Sequence, residues 1–218
     1  MRLFALALCL LAAPAALAQP TFGLKAGLNV STFTGLDEDD LDGADLKSRL
    51  GFVGGVFAEL PLSPMFSFRP EVLYSQKGTR AESSSTEGGE TFTLEQTLRV
   101  DYVEVPVLAR FAIPVSPLLR VGVLAGPSVA FKARESMQFV VNGEEVDPGE
   151  FTDGDETLFT STDIGGVLGA DVGSGPFAVD LRYTFGLTDI NRNEEEDPDA
   201  PTIRNGVFSV TGVFRLGR

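Results

Sequence analysis

The chain has 218 residues, a length for one domain or at most two. Its 17 basic and 31 acidic residues leave a net charge of −14, which is hard to reconcile with a nucleic-acid partner. There is no histidine and only one cysteine, which excludes a Ser-His-Asp triad, a Cys-His dyad and a His-ligated metal.

Residues 1–18 read as a secretory leader: Arg2, then an apolar run, then Ala16-Leu17-Ala18 as a small-x-small cleavage site. Cleavage after Ala18 is expected, giving a mature start at Gln19 and a single domain over 19–218. The run contains Pro14 and is short for a bilayer anchor. Removing it removes Cys9, so no disulfide is expected.

Eight stretches then alternate between apolar and polar positions, the period of a two-faced strand. In residues 21–33, Phe22, Leu24, Leu28 and Val30 oppose Lys25, Asn29 and Ser31. In 50–60, Leu50, Phe52 and Val56 oppose Gly51 and Glu59, with Val53 and Phe57 on the polar side. In 66–77, Phe66, Phe68, Val72 and Tyr74 oppose Arg69, Glu71 and Lys77. In 98–111, Val103, Val105, Val107 and Phe111 oppose Tyr102, Glu104, Leu108 and Arg110. In 118–132, Val121, Val123 and Phe131 oppose Arg120, Ser128 and Lys132. In 159–172, Ile164, Leu168 and Val172 oppose Asp163 and Asp171. In 177–187, Phe177, Val179, Leu181, Tyr183 and Phe185 oppose Asp180, Arg182 and Thr184. The last stretch sets Phe208, Val210, Phe214 and Leu216 against Ser209, Thr211 and Arg215.

A tilted strand crosses a bilayer in about 9–11 residues, which these stretches supply. Short turns at 61–64, 114–117 and 173–176 alternate with long polar segments at 35–49, 78–97, 133–158 and 189–205. The pattern predicts an all-β fold: an eight-stranded antiparallel up-and-down transmembrane barrel with short periplasmic turns and four long acidic external loops. Both termini are then periplasmic and the protein is integral to the outer membrane.

Size decides which face is inside. An eight-stranded interior is only just filled by side chains, and the phenylalanine-rich face is too bulky for it. The lumen is therefore assigned Lys25, Arg69, Lys77, Arg110, Arg120, Lys132, Arg182 and Arg215, with Glu59, Glu71, Glu104, Asp163, Asp171 and Asp180. The long segments hold 24 of the 31 acidic residues. The near-balanced set reads as paired charges, because buried charges need partners, and the acidic set as solvated loops. Arg69, Glu71, Glu104, Arg120, Asp180 and Arg182 are expected to form the central network, with Arg110 beside them.

The same residues carry a family resemblance. The segments GLKAGLNVS (23–31), GFVGGVFAELPLSPMFSFRPEVLYSQKG (51–78), DYVEVPVLARF (101–111), LAGPSVAF (124–131), VDLRYTFGLTDI (179–190) and NGVFSVTGVFRLG (205–217) resemble the PorT-like outer membrane beta-barrel family of Bacteroidetes-type bacteria. The resemblance implies an eight-stranded outer-membrane barrel and supplies no catalytic residues. A few members of that family are linked to secretion across the outer membrane, a role that does not transfer on the fold alone. The chain departs from the usual terminal aromatic by ending Phe214-Arg215-Leu216-Gly217-Arg218.

Other chemistry is weak. Glu38-x-Asp40-x-Asp42-Gly43 opens like a calcium loop, but Arg49 occupies the position of the bidentate glutamate. Weak divalent-cation binding by the acidic loops and adaptation to high salt both remain open. Ser128, Ser161 and Ser209 lack the usual base, so no enzyme, cofactor or structural metal is expected. Gly54-Gly55 and Gly165-Gly166 lie in strands and are not phosphate loops. The expected protein is a monomer in contact with outer-membrane lipid, with a structural or interaction role. The alternative is a small porin-like channel, transport or secretion-associated barrel.

Overall fold

The computed structural model describes residues 19–35, 44–87, 89–116, 118–146, 158–191 and 201–216. The expected leader, the calcium-like run at 38–43 and much of the acidic segments at 147–157 and 192–200 lie outside the described residues.

Among the described residues nine strands occur in chain order: β1 (Thr21–Thr34), β2 (Asp45–Pro61), β3 (Phe66–Glu87), β4 (Glu90–Pro114), β5 (Arg120–Val141), β6 (Glu144–Val146), β7 (Thr162–Ser174), β8 (Phe177–Gly186) and β9 (Arg204–Leu216). Eight of them form a ring. Each neighbouring pair is antiparallel, β4 pairs with β5, and β1 pairs with both β2 and β9. The three-residue β6 lies outside the ring and pairs only with the end of β5. Closure satisfies every ring strand on both sides, so the ring has no free edge.

The alternating residues set the two faces. Leu28 and Leu168 are 58% and 56% exposed on the outside, while Arg69 and Asp180 are 1% and 0% exposed within. The outward apolar run is nine residues in β1 (Phe22 to Val30) and nine in β3 (Phe66 to Tyr74), the length needed to cross hydrocarbon. Phe22, Phe66, Phe111 and Phe177 mark one rim of this band, and Tyr74, Phe131, Tyr183 and Phe208 the other. These are aromatic girdles built without tryptophan.

Three expectations change. The segment 78–97 is not a loop: β3 and β4 continue as a paired hairpin as far as Glu87↔Glu90, with Gly89 at φ +91°. On the β3 side its Ser and Thr residues satisfy cross-strand pairing without an apolar face, which a hydrophobic alternation test does not detect. Similarly, β2 begins at Asp45 and β5 runs on to Val141. There Asn142 (φ 51°) and Gly143 (φ 85°) turn the chain into β6, because Asn-Gly readily supplies the two left-handed residues of a tight hairpin turn. Finally, Phe159 lies before β7 and forms an isolated bridge with Asn191.

Glycine opens the lumen where bulk enters. A Cβ on Gly23 would lie 2.3 Å from the ring of Phe57, an inward-facing phenylalanine that the barrel could not otherwise hold. A Cβ on Gly27 would lie 2.0 Å from the Val210 carbonyl oxygen.

Candidate functional site in the lumen

The lumen holds two charged networks separated by apolar packing. The first sits toward the short-turn end. Asp180 and Arg182 lie two apart on β8, so both point inward, as do Arg69 and Glu71 on β3. The Arg182 guanidinium donates to both oxygens of Asp180, through Nε at 2.6 Å and Nη2 at 2.7 Å. It also donates to both oxygens of Glu71, through Nη1 at 2.8 Å and Nη2 at 2.7 Å. Lys25 Nζ stands 3.5 Å from Glu71 and 3.6 Å from Asp180.

Asp171 and Asp180 face each other across the β7–β8 ladder, an arrangement of like charges that is unfavourable by itself. Arg69 neutralises it: its Nη1 is 3.5 Å from Asp180 and its Nη2 is 3.6 Å from Asp171. Arg69 Nη2 also donates to Glu59 at 2.9 Å, and its guanidinium lies 4.9 Å from the centre of the Phe57 ring. Arg110 grips Asp171 through Nε (2.6 Å) and Nη2 (2.7 Å). Arg215 is held loosely, 3.8 Å from Glu59 and 3.9 Å from Asp171.

The second network lies toward the long-loop end. Lys77 Nζ is 3.4 Å from both Glu104 and Asp163 and sits 5.0 Å from the centre of the Tyr102 ring. The Ser128 hydroxyl donates to Glu104 at 2.8 Å, and Asn205 Nδ2 donates to Asp163 at 2.9 Å. Asn29 bridges to the first network's level by donating to Ser75 (3.0 Å) and accepting from Ser209 (2.8 Å). Between the networks pack Leu108, Leu124 and Val167, with Val53 and Leu73 buried nearby.

The long-loop end is capped. Phe33, Val100, Tyr102, Ala130, Phe159 and Ile190 form one buried cluster, against which Leu98, Leu158 and Ile203 pack. The Phe33 and Phe159 rings are 5.2 Å apart. Thr160 N–H donates to the Ile190 carbonyl at 2.9 Å, and Ile190 N–H to the Ile203 carbonyl at 2.8 Å, so chain segments lie across the opening. Lys132 ties the cap to the wall, pairing with Glu135 at 2.7 Å and with the Phe159 carbonyl.

Of the residues expected in one central network, Arg69, Glu71, Asp180 and Arg182 come together, and Arg110 joins them through Asp171. Glu104 and Arg120 do not. Glu104 is six residues from Arg110 along β4, about 20 Å at the rise of a strand, and belongs to the Lys77 network. Arg120 is the first residue of β5, at the short-turn mouth, where it donates to the Gly175 carbonyl. Sequence reasoning missed Asp101. It is fully buried yet outside the lumen, at the band's edge, where it accepts from Tyr74 (2.6 Å) and Arg99 (2.9 and 3.0 Å). The β4–β5 register shift between Asp101 and Tyr102 hides it from alternation. Among the described residues, no cluster of three potential metal-ligating side chains occurs.

A closed eight-stranded antiparallel ring, apolar outside and charged within, defines a transmembrane β-barrel. The chain belongs to the outer membrane protein beta-barrel domain family, whose model matches residues 17–192, and the protein is accordingly integral to the outer membrane. No curated protein matches the chain. Among solved structures it is similar to the attachment invasion locus protein Ail of Yersinia pestis (12% identity, 91% of this chain and 100% of that one, TM-score 0.42). It is also similar to Neisserial surface protein A (12%, 91% and 100%, TM-score 0.46) and to the outer membrane enzyme PagL (12%, 90% and 99%, TM-score 0.39). Likenesses this loose carry no inference about activity.

Proposed function

We propose that this chain is a non-enzymatic, non-conducting outer-membrane barrel of the PorT-like kind, with a structural or interaction role exercised through its external acidic segments. The observation that carries the reading is the filled lumen. The space bordered by Lys25, Leu73, Glu104 and Arg182 amounts to about 20 Å³, room for about one water. The apolar cap closes the long-loop end beyond it. The Ser128 hydroxyl is buried and spends its proton on Glu104.

In this reading the mature chain begins at Gln19, and both termini and the short turns face the periplasm. The barrel is a monomer, since its ring leaves no strand edge to pair. Its partners are the surrounding lipid and, weakly, divalent cations that bridge acidic loops to anionic lipid phosphates. The test is conductance of the purified protein in a planar bilayer. The closed lumen predicts no unitary current steps. Steady steps that scale with salt would replace this reading with the channel alternative, which the open short-turn mouth alone favours.

A further inference from the structure

We infer that the short-turn mouth of the barrel is a binding site for an oxyanionic group, phosphate or carboxylate. A cavity of about 430 Å³ opens there, lined by Arg110, Arg120, Arg215 and Glu59, with Thr21 and Gly175 among its walls. Three guanidinium groups converge on it against one carboxylate. With the layer just below included, Lys25, Arg69, Arg110, Arg120, Arg182 and Arg215 face Glu59, Glu71, Asp171 and Asp180, six cations against four anions. This end of the lumen therefore carries two surplus cations in a protein whose net charge is −14.

The donors are also under-used. Arg215 lies 3.8 and 3.9 Å from its nearest carboxylates, too far for hydrogen bonds, and its Nη1 is buried with no partner among the described residues. Arg120 forms no ion pair among the described residues and spends one donor on the Gly175 carbonyl. Arg110 presents Nη1 at 3.6 Å from Glu59 after committing Nε and Nη2 to Asp171. An oxyanion placed among them would accept charge-assisted hydrogen bonds from guanidinium donors not spent on other partners, the forked geometry that suits phosphate and carboxylate. Glu59 is the resident competitor, shared by Arg69, Arg110 and Arg215.

The inference rests on the inward assignment of the charged face. Only the ligand's compartment depends on the proposed orientation, so a conducting lumen would leave the site standing. The test is calorimetric titration of the folded barrel in zwitterionic detergent with inorganic phosphate and, separately, acetate, at constant ionic strength set by chloride. Saturable one-to-one binding of at least one anion is expected, and the preferred anion separates a phosphate ligand from a carboxylate one. Arg120→Gln, which removes no ion pair, should weaken binding about tenfold, as should Arg215→Gln, while Arg80→Gln on the distant hairpin leaves it unchanged. Glu59→Gln should tighten it. Circular dichroism establishes that each variant remains folded. Absence of saturable binding for both anions, binding indifferent to Arg120→Gln, or a folded Glu59→Gln protein that binds no more tightly than the parent would overturn the inference.

Discussion

Replacing Arg182 with methionine perturbs the lumen at its most connected point. The substitution keeps much of the side-chain volume and deletes four charge-assisted hydrogen bonds of 2.6–2.8 Å. Among the described residues Glu71 then keeps Lys25 alone within 4 Å, at 3.5 Å, and Asp180 keeps Lys25 at 3.6 Å and Arg69 at 3.5 Å. Both carboxylates are fully desolvated, with side chains 0% exposed. Breaking a buried pair by removing one partner costs about 3–5 kcal/mol, and the present case strands two anions rather than one. Urea unfolding in lipid vesicles, followed by circular dichroism, should show the midpoint fall with little change in slope. The double variant Glu71→Gln/Arg182→Met removes one of the stranded charges. Its cost should fall short of the sum of the single variants by about 1–3 kcal/mol. A loss below about 1 kcal/mol for Arg182→Met, or strict additivity in the double variant, would refute the paired-lumen argument.

Three further outcomes are expected. Gly27→Ala should cost about 1–3 kcal/mol, because its Cβ meets the Val210 carbonyl oxygen at 2.0 Å, whereas Gly212→Ala, with nothing closer than 3.8 Å, should be near neutral by the same unfolding assay. Lys47→Ala should change stability by less than about 1 kcal/mol, since the Lys47–Glu82 pair is solvent-exposed on the hairpin outside the lipid band; a larger loss in urea would mean that the hairpin is packed against something. Protease added to intact cells should cut within residues 147–157 and spare the turn at Ser63-Pro64; the reverse pattern would invert the barrel.

The sequence makes the ring legible because a lipid-facing strand leaves the strictest alternation a chain can show. Phe177 to Phe185 on β8 alternates without exception, and its register with β9 keeps Val179, Leu181 and Tyr183 outside. The composition of the lumen is less legible. Val53, Phe57, Leu108 and Leu124 occupy inward positions by parity, yet their packing follows from which strands meet across the barrel, such as the glycine of β1 that admits Phe57. The division into two networks depends on height along the axis. Glu104 and Arg110 share a strand face and differ by six residues, so parity groups what distance separates. Strand extension at Ser83–Thr86 escapes notice because its own residues are all serine or threonine, so no apolar alternation marks it. The cap escapes notice because Phe159 and Ile190 meet only once residues before β7 and after β8 fold across the opening.

In this barrel the apolar face meets lipid and the charged face lines the lumen. Adjacent residues of β9 test it most directly: Val210 is 43% exposed on the outer face, and Thr211 is 1% exposed facing Asp180 across the ladder. Single cysteines at the two positions, in a chain that lacks Cys9, are treated in the membrane with a lipid-soluble maleimide and then with a water-soluble one. Val210→Cys is expected to react with the lipid-soluble reagent alone, and Thr211→Cys to be protected from it. Labelling of Thr211→Cys from lipid with Val210→Cys protected would contradict the account and turn the barrel inside out.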